Sequence, residues 1–212
     1  MIAGPDRAGD ARVTPTLDIQ PLNPDRWADL ETLFGPRGAC AGCWCMWWRL
    51  TRREWGQAAG AGNKRAFKRL VTGGRVPGIL AYAGGAPVGW CAIEPRASYP
   101  VLQRSPVLKP VDEKPVWSIT CLLVARPWRK RGLSVELIRA AVRHAALHGA
   151  TLVEGYPVDP RKKDMADIDA FTGIPSTFRK AGFKEVLRRS ATRPIMRYRV
   201  ASQHGKHARS QR

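Results

Sequence analysis

The chain is poor in acids: 17 Asp and Glu stand against 36 Lys and Arg in 212 residues, a formal net charge of +19. It has no apolar run long enough to span a membrane. The first residues, MIAGPDRAGDARVTPT, lack the apolar centre of a secretory signal, so the expected location is cytoplasmic. The 5 Cys are odd in number and not spaced like a secreted disulfide framework, which fits reduced thiols. The P-loop pattern GxxxxGK[ST] and the dinucleotide pattern GxGxxG are both absent, and no internal repeat is visible. What remains is a chain with 44% hydrophobic residues, enough for one globular domain.

The positive excess draws polyanions and speeds their encounter. It is spread along the chain, with a further cluster in the tail HGKHARSQR. A solvated Arg-rich surface is the favoured reading, ahead of a nucleic-acid partner. Three segments are expected: a mobile N-terminal tail over 1–15, one domain over 16–200, and a basic C-terminal tail over 201–212. Oligomeric state stays open, a homodimer included.

The organising stretch is VWSITCLLVARPWRKRGLSVELIRAAVRHAALHG, residues 116–149. Val116 to Val124 is an apolar, β-branched run of strand length, as in a strand buried on both faces. A tight basic loop over Arg126 to Gly132 follows. From Leu133 the period becomes helical, with Val135, Ile138, Val142 and Ala145 on one face and Arg139 and Arg143 on the other; Gly149 ends it. Strand, basic glycine loop and helix together make an anion site. The first N–H groups of the helix lack intrahelical acceptors, and the dipole adds positive charge there. Gly132 lets backbone approach a ligand, Arg129, Lys130 and Arg131 supply cations, and Leu133 and Ser134 open the helix.

Around this unit the chain reads as alternating elements. Leu17 and Ile19 alternate as in a short strand. Asn23-Pro24-Asp25 starts a helix whose buried face is Trp27, Leu30, Leu33 and Phe34. Asn63 to Val71 is a second helix. Ile79 to Ala83 and Val88 to Ile93 form a hairpin about Gly84-Gly85. Residues 96–115 carry four prolines and read as an irregular connection. Thr151 to Tyr156 is a strand parallel to the central one, since a helix joins them. A polar loop over 157–174, a short helix Ser176 to Ala181 and the last strands complete the chain.

The loop matches [RQ]-x-x-G-x-[GA], with Arg129 first, Gly132 fourth and Ser134 in the small-residue place; STFRKAGF matches the closing pattern lYekxGF at Ala181-Gly182-Phe183. In these motifs the chain resembles the GNAT acyltransferase superfamily. The resemblance implies an α/β domain with a mixed, partly splayed sheet flanked by helices. It implies acetyl-coenzyme A as acyl donor, its pyrophosphate on residues 129–134 and its pantetheine arm along the backbone of Leu122, Leu123 and Val124. It also implies transfer of an acetyl or similar group to an amine, of a small molecule or a protein, by direct attack in a ternary complex. A basic domain that contacts nucleic acid and has lost catalysis is the rival.

Direct attack needs a route for the amine's proton and for the leaving thiolate. Phe178 stands where many members have a Tyr acid, and Phe cannot donate. Tyr156 is the nearest replacement, and Glu94 and Glu154 are candidate bases. Residues 40–49, CAGCWCMWWR, with Trp55 beyond, read either as plain core or, by the resemblance, as an aromatic acceptor wall of Trp44, Trp47 and Trp48, with Trp90 from the hairpin. Three cysteines without a second Cys or His pair make zinc unfavoured, and His144 and His148 in the last helical turn read as dipole partners, so no metal is expected.

Overall fold

The computed structural model describes residues 17–160 and 170–201. The expected N-terminal tail, nearly all of the basic C-terminal tail, and the middle of the 157–174 loop lie outside them.

Asn23 caps the first turn of helix as its sequence requires: its Oδ1 accepts from the Arg26 N–H at 3.1 Å and Pro24 fills the first position. The elements in order are β1 (Asp18–Pro21), α1 (Trp27–Phe34), α2 (Arg52–Gln57), α3 (Ala61–Thr72), β2 (Gly78–Ala83), β3 (Ala86–Pro95), α4 (Pro100–Gln103), β4 (Trp117–Val124), α5 (Leu133–Leu147), β5 (Leu152–Gly155), α6 (Pro175–Lys180), β6 (Lys184–Arg188) and β7 (Pro194–Arg199). Gly84 and Gly85 both take positive φ, the geometry of a two-residue hairpin turn between β2 and β3. The sequence reading lacks α2, which a Thr51–Glu54 capping box starts, and α4, a single turn within the proline-rich connection.

Seven strands form one mixed sheet in the order β1-β2-β3-β4-β5-β7-β6. All neighbours are antiparallel except β4 and β5, as the crossover through α5 demands. Two apolar layers cover the faces. On one, Ile79, Ala81, Cys91, Ile93, Ile119 and Val153 meet Leu137, Ile138 and Ala141 of α5 and Phe178 of α6. On the other, Leu80, Trp90 and Ala92 meet Trp27, Leu30 and Phe34 of α1 and Phe67 and Val71 of α3. Among the described residues no helix is long and apolar enough to cross a membrane.

Two features of β4 position the site. Its pairing with β3 jumps from Ala92↔Cys121 to Ile93↔Ile119, leaving Thr120 as the extra residue of a bulge. Its pairing with β5 stops at Ile119↔Gly155, although β4 runs on to Val124. Beyond that point the two strands part, and among the described residues one backbone edge of β4 has no strand beside it.

Candidate functional site

The parting of β4 and β5 opens on a cleft of about 880 Å³. Leu122, Leu123, Cys121 and Phe171 border it at the sheet, Arg126 and Arg129 at the loop before α5, and Arg37, Cys40, Cys43, Cys45, Trp47 and Trp55 on the segment between α1 and α2. One cavity thus joins the anion loop, the free edge of β4 and the cysteine–tryptophan segment.

The loop folds as its glycine and charges imply. Gly132 is the N-cap of α5 at φ +84°, in the left-handed region, and no side chain caps the helix. A Cβ on Gly132 would meet nothing within 4 Å, so open space rather than crowding surrounds it. Lys130 also takes a positive φ of 60°, which curls the loop around the helix start. Arg129 donates from Nε to the Val124 carbonyl at 3.1 Å, tying the loop to the end of β4. The Leu133 side chain is buried in the core, so only its backbone can serve a ligand.

On β4 the expected free backbone is partly engaged. The Leu122 N–H donates to the Phe171 carbonyl at 2.6 Å. Gly173, two residues on, sits so close that a Cβ would lie 3.0 Å from Leu122 Cδ1. The far end of the 157–174 loop therefore lies in the gap between the strands, at the edge assigned to the pantetheine arm.

The tryptophans divide. Trp47 lines the cleft, with Trp55 edge-on at 5.0 Å and the Arg52 guanidinium 3.2 Å over its ring. Trp48 is buried beside the cleft, its indole donating to the Thr120 carbonyl of the bulge at 3.2 Å. Trp44 and Trp90 do not reach it. Trp44 stacks on Trp27 at 6.1 Å, and Trp90 packs edge-on against Phe34 and Phe67. For these two the plain-core reading replaces the acceptor-wall reading, because α1 and α3 cover both rings.

The candidate acids and bases are also enclosed. Glu94 is held by Arg49 on one oxygen and by Arg75 Nε at 3.0 Å on the other. Glu154 accepts from Arg96 at 3.2 Å, Arg197 at 2.7 Å and the Tyr156 hydroxyl at 2.7 Å. That hydroxyl also meets Ser118 Oγ at 2.8 Å and accepts from Arg96 at 2.7 Å. Burial first, then the Glu154 charge, push the Tyr156 phenol well above its ordinary range. Tyr156, Glu94 and Glu154 all lie off the cleft lining. The groups read from sequence as a proton donor and two bases thus stand in two buried arginine–carboxylate networks, hydrogen-bonded to guanidinium and hydroxyl groups. Phe178 is fully buried between Gly155 and Phe183, so a hydroxyl there would not face the cleft either.

Sequence reasoning missed Arg37, Cys121, Phe171 and the buried Arg49 and Arg96. Their partners lie far along the chain, 45 residues for Arg49–Glu94 and 58 for Arg96–Glu154, beyond any local pattern. Among the described residues no three His, Cys, Asp or Glu side chains are grouped to hold a metal ion.

A mixed seven-stranded sheet parted beside a glycine-headed helix, with arginines at the opening, defines a class of acyl-coenzyme A-dependent transferases. The acetyltransferase (GNAT) family model matches residues 44–160, more than half of the chain, and the chain belongs to that family. A GNAT-family protein from Desulfovibrio desulfuricans superposes with a TM-score of 0.52 at 16% identity, covering 88% of this chain and 100% of that one. A protein of Bacillus halodurans gives 0.52 at 15% identity, over 91% and 88%. Both show the same fold. No curated protein matches the chain.

Proposed function

We propose that the protein transfers an acetyl or similar acyl group from coenzyme A to an amine, both substrates meeting in the cleft. The observation that carries this is the single cavity joining Arg126 and Arg129 of the loop before α5 to the parted edge of β4. The pyrophosphate is assigned to the loop, with Arg126, Arg129, Lys130 and Arg131 as cations and the first N–H groups of α5 as donors. The pantetheine amides are assigned to the edge of Leu122, Leu123 and Val124, after displacement of the Phe171 carbonyl. The acceptor enters over Trp47 and Trp55.

With no carboxylate or phenol of the two buried networks open to the cleft, holding both reactants in line supplies much of the rate. The coenzyme A thiolate leaves without a protein acid, and water in the open cleft takes the amine's proton. Glu154, Tyr156 and Arg96 act by holding the β4–β5 junction in place.

The test is calorimetric titration with acetyl-coenzyme A, followed by thiol-release assays over an amine panel. Gly132→Glu puts a carboxylate where the pyrophosphate is assigned. It should weaken binding by more than tenfold, with circular dichroism unchanged. Unaltered affinity would remove the loop from the site.

A further inference from the structure

Coenzyme A accounts for the arginines of the loop before α5, but not for those at the acceptor end of the cleft. Arg37 lines the cleft from the segment between α1 and α2 and is exposed. Among the described residues its guanidinium has no hydrogen-bond or ion-pair partner. Arg52, the first residue of α2, leans on Trp47: its guanidinium stands 3.2 Å over the ring, and Nη1 donates to the Trp47 carbonyl at 2.8 Å. An ammonium is drawn to the face of an indole, and this face already holds a cation. No Asp or Glu is among the described residues that line the cleft. Glu94 and Glu154 lie off it, each held between two arginines.

This charge pattern bears on the acceptor. A cation near an amine disfavours its protonated form, so the cleft favours the neutral amine that attacks a thioester. The same field repels a second or third ammonium, which counts against a polyamine. An amine that gains nothing from its own charge is held by the rest of its structure. The cleft offers two kinds of contact for that. Trp47 and Trp55, edge-on to one another, give apolar walls together with Leu122, Leu123 and Phe171. Arg37 gives a planar fork of donors that matches a carboxylate with two parallel hydrogen bonds.

We propose that the acceptor is a carboxylated amine with a large apolar body, an α-amino acid of the class of phenylalanine or tryptophan, and that Arg37 selects it by its carboxylate. The inference rests on the transferase reading. The neutral amine attacks the thioester carbonyl. The C–N bond forms, the C–S bond breaks, coenzyme A leaves as its thiolate, and the amine proton passes to water. The product is the N-acylated acid, which keeps the carboxylate and has no ammonium. Arg37 grips the carboxylate and sets which amine is held in line; it takes no part in the bond exchange.

The experiment uses the full chain with acetyl-coenzyme A at saturation and follows thiol release. L-Phenylalanine is set against phenethylamine and L-tryptophan against tryptamine, with spermidine as the polycation. Rates are taken over a pH series and compared per unprotonated amine. Each amino acid should exceed its decarboxylated partner in kcat/KM by about tenfold or more, the scale of a charge-assisted pair, and spermidine should be slower than either. Arg37 is exposed, so its variants should fold as wild type by circular dichroism. Arg37→Gln should bring each ratio near one, mainly through KM, and Arg37→Glu should invert it. Coenzyme A affinity, by calorimetry, should change by less than about twofold in both, since the carboxylate contact is not part of the coenzyme A site. Equal use of the two members of a pair, a preference for spermidine, or ratios untouched by Arg37→Glu would overturn the substrate class. So would a protein that binds coenzyme A and acylates neither amino acid. A protein that binds no coenzyme A overturns the transferase reading instead. Titrating that protein with L-phenylalanine and with phenethylamine still reads the carboxylate contact, and equal or absent binding overturns it as well.

Discussion

Tyr156 shows how a residue's chemistry depends on what encloses it. As a sequence feature it is a phenol at the end of a cleft-side strand. In the fold its hydroxyl meets Ser118, Arg96 and Glu154 and lies off the cleft. Tyr156→Phe leaves a buried network short of a donor and acceptor, which costs about 1–3 kcal/mol. The expected result is a lower thermal midpoint with turnover at saturating substrates unchanged; a large drop in turnover at full stability would restore the acid role. His144 has a similar dependence. It packs edge-on to Trp117 at 6.1 Å, and burial, then His148, pull its pKa down to about 4. The unfolded chain protonates this ring near its ordinary value of about 6.5. A depressed pKa therefore adds stability above that value, and this is lost as pH falls towards about 4. His144→Phe keeps a ring against Trp117 and removes the proton. Its stability should fall less steeply than wild type on acidification, as measured by denaturant unfolding at a series of pH values.

The β5–α6 pair sets where the sheet parts. Gly155 ends β5, and a Cβ on it would lie 2.1 Å from the Phe178 ring. The close approach lets α6 lie on β5 at Gly155, where the pairing with β4 ends. Gly155→Ala forces that ring out of place and should cost about 1–3 kcal/mol. Phe178→Leu in the same chain should recover part of the loss by vacating the ring's edge, a coupling that a double-mutant cycle in urea would detect. Additive losses would mean that the backbone, not the ring, absorbs the change. Elements of this kind were largely legible in sequence. The capped start at Asn23, the Gly84-Gly85 hairpin, and the β4–loop–α5 unit each rest on neighbouring residues. The bulge at Thr120 was not, because it is a mismatch with β3 and not a property of β4.

At the scale of the whole molecule, the family and the mixed sheet flanked by helices follow from a few local motifs, while the strand order and the surroundings of the catalytic and acceptor candidates do not. Strand position points to Glu94, Glu154 and Tyr156, and residue type to Trp44 and Trp90. What decides their roles is the arginines opposite them: Arg49, Arg75, Arg96 and Arg197. Part of the positive excess is thus spent inside the fold, clamping two carboxylates; Arg96 also holds the proline-rich connection through the Leu102 and Leu108 carbonyls. The remainder repels itself. With a net charge of +19, the compact state should gain stability as salt is added from low ionic strength, because screening weakens surface repulsion more than buried pairs. A thermal midpoint that falls over the first few tenths molar of sodium chloride would show that exposed ion pairs outweigh the repulsion.

The Phe171 carbonyl on the Leu122 N–H makes the chain its own competitor for that amide. Any arm that pairs there binds only the fraction of molecules in which the bond has opened, and its apparent dissociation constant rises by the inverse of that fraction. A single backbone hydrogen bond is worth about 0.5–1.5 kcal/mol net, so this competition alone sets affinity back by up to about tenfold. In return, Leu122 keeps a partner at all times, and hydrogen exchange at its amide should stay slow in the free and the bound protein. The group left to water on binding is the Phe171 carbonyl, and an infrared label at that carbonyl would shift on addition of coenzyme A.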